Sequence, residues 1–237
     1  MHILFLAALF VFKAVLSVIG FLNERKLKDT VITEKIRCKG YYQAMALLWG
    51  AVLTVFIMSF IGGISFADIG FRLISFNHNI WFTAVTLILS GLLLVFSLYR
   101  IIFSLFSEEY REKQRNYIAN GEGGTDVIPR TAREKRLFSF VALTAGVCEE
   151  IIYRGFAVFL LQAVFPSIPI VLIVLIPSVL FGLGHLYQGL SGVISTGIVG
   201  AVFMCLFIVT DSLVLAMILH FLIDFSSVFL LSEENNI

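Results

Sequence analysis

The chain alternates between long runs almost free of charge and short polar interruptions. A helix crossing the hydrocarbon core of a bilayer needs about 20 apolar residues. By that measure seven segments qualify: 3–22, 41–62, 79–105, 137–162, 168–187, 190–209 and 211–231. The pattern predicts an all-α, polytopic transmembrane bundle of about seven spanning helices, built as one membrane domain over residues 1–237. No internal repeat stands out, and the only low-complexity stretch is the Gly-rich loop 121–124.

Composition supports lipid as the solvent. The chain is 59% hydrophobic and 14% charged, against about 45–50% and 25% in soluble domains. The first apolar run has no basic region before it and no small-residue cleavage site after it, so it reads as a retained span rather than a signal peptide. The net charge of +1 says nothing about nucleic acid, but no basic stripe interleaved with aromatics lies on a soluble face, so no nucleic-acid partner is expected. Cys38, Cys148 and Cys205 form no CxxC pair and no disulfide framework.

Positive charge sets the topology. Arg25, Lys26, Lys28, Lys35, Arg37 and Lys39 lie in 23–40. Arg111, Lys113, Arg115, Arg130, Arg133, Lys135 and Arg136 lie in 106–136. The positive-inside rule puts both segments in the cytoplasm, which leaves the N-terminus outside and the C-terminus inside. Local signals add detail. Thr210 and Asp211 are placed to cap the last helix. Pro177 interrupts the fifth segment and should kink it near Ile173. Gly192, Thr196 and Gly200 make a small-residue ridge suited to close packing.

The informative residues are the charges inside apolar runs: Glu149, Glu150 and Arg154 in segment four, His185 in segment five, and His220 and Asp224 in segment seven. A charge at membrane depth costs a few kcal/mol or more, so such groups face the bundle interior and mark a site. Glu150 and Arg154 are four apart and share a helix face, as do His220 and Asp224. Glu149 is turned about 100° away from Glu150. It is the carboxylate without a local countercharge, and therefore the one suited to take a proton. Lys13 reads as a snorkelling residue, His2 and His78 as interfacial or loop residues, and Cys148 as inert packing.

Glu149 to Arg154 forms EExxxR, Phe181 to His185 FxxxH, and His220 to Asp224 HxxxD. In this order on successive apolar segments they resemble the CAAX protease and bacteriocin-processing family, also called the Abi family, which includes the type II CAAX prenyl endopeptidases. The resemblance covers about residues 125–231 as a catalytic core. Residues 1–105 carry no recognised motif, and 106–136 form a basic loop.

The resemblance implies a helical bundle with a polar intramembrane cavity that hydrolyses a peptide bond in a peptide or membrane-anchored substrate. In a bacterial plasma membrane it also implies links to bacteriocin immunity. It casts Glu149 as the base activating water, His185 as a holder of that water, and Glu150 with Arg154 as a supporting pair. His220 and Asp224 would face the developing oxyanion. An ionised Asp224 cannot donate a hydrogen bond, so it is either protonated or orients His220 as a cation, and the second is the favoured reading.

Glu149, His185, His220 and Asp224 are also a credible zinc set, which would make the chain a metalloendopeptidase. Without an HExxH sequence the reading assigns no cofactor and favours a metal-independent glutamate mechanism. Two other functions compete: a non-hydrolytic immunity or peptide-binding partner using the same cavity, and a proton-coupled transporter. No pair of symmetry-related broken helices supports the transporter. The partners expected are the substrate and the bilayer, and oligomeric state is not legible.

Overall fold

The computed structural model describes residues 1–11, 32–76, 78–119 and 127–230. Among them all regular structure is helical. The α-helices are α1 (His2–Val11), α2 (Glu34–Gly62), α3 (Ile80–Phe106), α4 (Glu108–Ala119), α5 (Ala132–Glu150), α6 (Ala157–Val164), α7 (Ile170–Gly184), α8 (Gly189–Thr210) and α9 (Val214–Phe225). A π-helical turn, Ile151–Phe156, joins α5 to α6, so that a continuous rod runs from Ala132 to Val164.

Three helices among the described residues are both long and apolar enough to cross a membrane: Glu34–Gly62, Ile80–Phe106 and the run Leu186–Thr210. They correspond to segments 41–62, 79–105 and 190–209. The other four segments differ for separate reasons. Segment 3–22 is described only as far as Val11, and Lys13, Arg25, Lys26, Lys28 and the Gly-rich loop 121–124 lie outside the described residues. Segment 137–162 lies within the long rod and carries its three charges. Helix α7 has 15 residues, about 22 Å, and stops at His185. Helix α9 has 12 residues before tightening into a 3-10 turn, Ser226–Phe229. The basic segment 106–136, expected as a loop, contains α4, whose exposed face pairs Lys113 with Glu109 at 2.7 Å.

Helix α3 is built inside out. It buries Thr86, Ser90, Ser97 and Ser104 and turns Ile88, Leu92, Val95 and Phe96 outward. Water would penalise that arrangement by the full hydrophobic cost of the exposed faces. In lipid it costs nothing, and small polar residues let neighbouring helices approach. The predicted ridge on α8 is partly realised. A Cβ on Gly200 would lie 2.9 Å from Phe181 of α7, and one on Gly182 of α7 would lie 2.5 Å from the Val193 carbonyl. The contact line therefore runs through Val193, Gly197 and Gly200. Thr196 instead donates to its own helix at the Gly192 carbonyl, 2.7 Å away.

Thr210 and Asp211 do not cap α9. Thr210 ends α8, its hydroxyl donating to the Leu206 carbonyl at 2.7 Å, and Asp211 follows in a left-handed conformation, φ 50°. The turn reverses there because Asp211 is held by Arg72 at 2.7 Å and Ser212 donates to the Arg72 carbonyl at 2.7 Å. Loop 63–79 thus ties the α8–α9 corner down. His78 lies in that loop, as expected, whereas His2 begins α1 with its ring 5.5 Å from Phe159 of α6.

At the other end of the bundle, α5 starts with a capping box. Thr131 accepts from the Glu134 amide, and Glu134 accepts from the Thr131 amide at 2.9 Å. Glu134 also accepts from the Arg130 amide and, at 2.6 Å, from Arg37 Nε of α2. Burial pushes the Glu134 carboxyl up, but the two amides and the guanidinium outweigh it and hold the group below its usual 4.5. A carboxyl held low stabilises the fold fully above its unfolded value, and that contribution is lost as pH falls through the lower folded value. The unfolding temperature of detergent-solubilised protein is therefore expected to drop as pH is lowered from 5 to 3, with a shallower drop in Glu134→Gln. Arg37→Ala strands the carboxylate and should cost about 3 kcal/mol at pH 7, read as a lower unfolding temperature.

Candidate active site

The two adjacent glutamates end α5 exactly one turn after Gly146, and that glycine decides what they can reach. A Cβ there would sit 2.9 Å from the Phe221 backbone nitrogen and 3.1 Å from the Met217 carbonyl. Backbone therefore packs on backbone where α5 crosses α9, and His220 is drawn against the carboxylates. The π turn opens directly after Glu150, closing with the Ala157 amide on the Ile152 carbonyl. Within it Gly155 admits loop 63–79, since a Cβ would meet the Ile69 carbonyl at 2.4 Å.

One oxygen is the hub. Glu150 Oε1 accepts from Arg154 Nη1 at 2.9 Å and lies 2.7 Å from His220 Nδ1. Because that oxygen belongs to an arginine-paired carboxylate, Nδ1 carries the proton and donates. All three side chains are at most 4% exposed. The other ring nitrogen, Nε2, faces Glu149 Oε2 at 3.7 Å and Asp224 Oδ2 at 3.5 Å. Glu149 is 14% exposed and Asp224 35%, so the cluster grades from a dry hub to an accessible rim.

Aromatic rings hold the cations in place. The Arg154 guanidinium lies 4.6 Å from the Phe181 centroid and 5.2 Å from that of Phe203, within cation–π range. Its Nη2 donates to the Gly200 carbonyl at 3.0 Å. Phe203 stacks on His220 at 5.1 Å and 28°, and Phe181 meets the same ring edge-on at 5.6 Å.

Glu149, Glu150, Arg154, His220 and Asp224 are thus brought together, with Glu150–Arg154 and His220–Asp224 paired as their four-residue spacing predicts. His185 is adjacent but separate. It follows the last turn of α7, where its Nδ1 lies 2.9 Å from the Phe181 carbonyl and its ring 4.8 Å from the Phe181 ring. Among the described residues no hydrogen bond or ion pair joins it to the other five.

Sequence reasoning left out Phe203, the Gly200 carbonyl and Gly146, and gave Phe181 only a place in the FxxxH spacing. No three His, Cys, Asp or Glu side chains among the described residues are placed to ligate one metal ion. Two open surface recesses lie elsewhere, one of about 730 Å³ along α2 beside Arg133 of α5 and one of about 590 Å³ beside α6 and α7, and no motif residue lines either.

Residues 135–226 match the family described as Rce1-like, type II CAAX prenyl endopeptidase Rce1-like. The match spans all three motifs and agrees with the resemblance that they carry. No curated protein and no solved structure matches the chain.

Gly146→Ala is expected to wedge α5 from α9 and separate the carboxylates from His220. Overpacking of this kind costs about 1–3 kcal/mol. A lower unfolding temperature, with weakened cross-linking between cysteines placed at 146-flanking and 221-flanking positions, would register it.

Proposed function

We propose that this chain, a member of the CAAX protease family, cleaves a peptide bond of a membrane-associated peptide or protein with water activated by Glu149. The observation that carries the reading is the division of labour between neighbouring glutamates. Glu150 is fully buried and committed to Arg154 and His220, whereas Glu149 has no arginine and is partly exposed. A base must reach its water, and a supporting carboxylate need not.

In this mechanism Glu149 takes a proton as the water oxygen attacks the carbonyl carbon. The developing oxyanion accepts from His220 Nε2–H, which Glu150 orients through Nδ1 and Asp224 faces at 3.5 Å. Collapse breaks the C–N bond, and the proton passes from Glu149 to the leaving amine. His185, with Nδ1–H directed at the Phe181 carbonyl, keeps Nε2 free to accept from the water. The reading is metal-independent, because His220 Nδ1 is already satisfied and Nε2 is assigned to the substrate oxygen. Its setting is a multi-pass protein of a bacterial plasma membrane.

Glu149→Gln keeps the shape of the side chain and removes the base. Cleavage by the purified protein in nanodiscs should fall by about 10²–10⁴-fold with an unchanged unfolding temperature, and His185→Ala and His220→Ala should also fall. Full cleavage of a demonstrated substrate by both Glu149→Ala and His185→Ala would exclude the mechanism. If Glu149→Gln preserves a cellular phenotype, the site recognises a peptide rather than cutting it.

A further inference from the structure

The open recess along the first turns of α2, closed on one side by Arg133 of α5, has no part in the mechanism. It is lined by the cations Lys35, Lys39 and Arg133 together with the buried Cys38 and the exposed Tyr42 and Ala46. Lys35 and Lys39 stand one turn apart on one face of α2, both exposed, an arrangement that repels in an isolated helix. No carboxylate among the described residues pairs with either of them. Arg133 is 69% exposed and reaches Glu34 of the same recess only at 3.6 Å. One carboxylate against three cations leaves the recess positive.

Its depth is fixed by length. Helix α2 has 29 residues, about 43 Å, and exceeds the roughly 30 Å hydrocarbon core by about 13 Å. The charged residues of α2 are confined to Glu34, Lys35, Arg37 and Lys39, so the surplus falls at the first turns of the helix, where the lysines lie. The cations then stand at headgroup level, and the exposed Tyr42 and Ala46, further along the helix, lie beside the acyl chains. We infer that this recess binds the phosphate of an anionic phospholipid in the leaflet that faces the basic segments. The lipid phosphate takes Lys35, Lys39 and Arg133, and its first chain segments cover Tyr42 and Ala46. Basic pockets between helices at this level recognise such headgroups, with each cation contributing to the attraction.

The test is native mass spectrometry of the full chain in detergent, titrated separately with phosphatidylglycerol, phosphatidylcholine and inorganic phosphate. Phosphatidylglycerol should be retained roughly tenfold better than phosphatidylcholine, and inorganic phosphate at equal concentration should not displace it. The preference should fall roughly fivefold in Lys39→Ala and disappear in Lys35→Ala/Lys39→Ala. It should persist in Lys35→Arg/Lys39→Arg and in Lys113→Ala on α4. Equal retention of the two lipids by the unaltered protein overturns the inference, as does a preference that survives loss of both lysines. Displacement by inorganic phosphate would make the recess a site for a soluble anion and also overturn it. Lys39→Ala removes an exposed side chain and reports even if the double variant fails to insert.

Discussion

A buried arginine in an apolar bundle needs a countercharge, and the arrangement around Arg154 follows from that constraint. The guanidinium spends one nitrogen on Glu150 and another on the Gly200 carbonyl, and its faces lie near Phe181 and Phe203. Removing either charge of such a pair leaves the other uncompensated in a medium that cannot hydrate it. Four separate chain segments are therefore committed to one side chain: the end of α5, the π turn, the last turns of α7 and the middle of α8. The same carboxylate oxygen draws in His220 from α9. What holds the helices in register is also what orients the imidazole.

The packing glycines serve that arrangement. Gly146 lets α5 and α9 touch backbone to backbone, and Gly200 leaves room for Phe181 to lie beside the guanidinium. Neither contact adds polar chemistry. Each shortens a distance on which a hydrogen bond depends, and geometry of that kind is lost with a single methyl group. The π turn follows the glutamates directly, in keeping with the frequent placement of such turns at functional positions. It also receives Ile69 from the loop that anchors the α8–α9 corner, so the far loop and the charged cluster share one packed layer.

Much of this was legible in the sequence, and the reasons differ from residue to residue. Pairs within one helix could be read from spacing: Glu150 with Arg154, and His220 with Asp224, lie where four-residue separation puts them. Contacts between helices could not. Nothing in the sequence selects the Gly200 carbonyl, because a backbone acceptor has no residue identity, and Phe203 is one of 24 phenylalanines. His185 was expected to converge with the other groups, but α7 ends at Gly184 and its imidazole is engaged by the Phe181 carbonyl. Two signals were present and unread. Thr131 and Glu134 have capping-box spacing, and Ser90, Ser97 and Ser104 repeat every seven residues along the buried face of α3. A search for buried apolar stripes misses the second, because lipid inverts the pattern.

The inversion bears on how water reaches the cluster. The rod comprising α5, the π turn and α6 has 19, 6 and 8 residues, about 50 Å in all, and Glu149 and Glu150 lie near its midpoint. If the rod is centred in the bilayer, the glutamates sit close to the midplane, about 15 Å from either edge of the hydrocarbon. Hydrolysis at that depth needs a polar route that the lipid-facing surfaces cannot supply. The cluster is graded in the direction such a route requires. Glu150 and Arg154 are sealed, Glu149 is partly exposed, and Asp224 is the most exposed member. Asp224 lies one turn beyond His220, toward the 3-10 turn where Ser227 accepts from Arg100 of α3 at 3.3 Å. Arg100 stands at the outer end of a series that continues through Asp224 and His220 to Glu149. Asp224 is thus the outermost polar group of the cluster, and Glu149, 14% exposed, lies across an imidazole that is only 4% exposed.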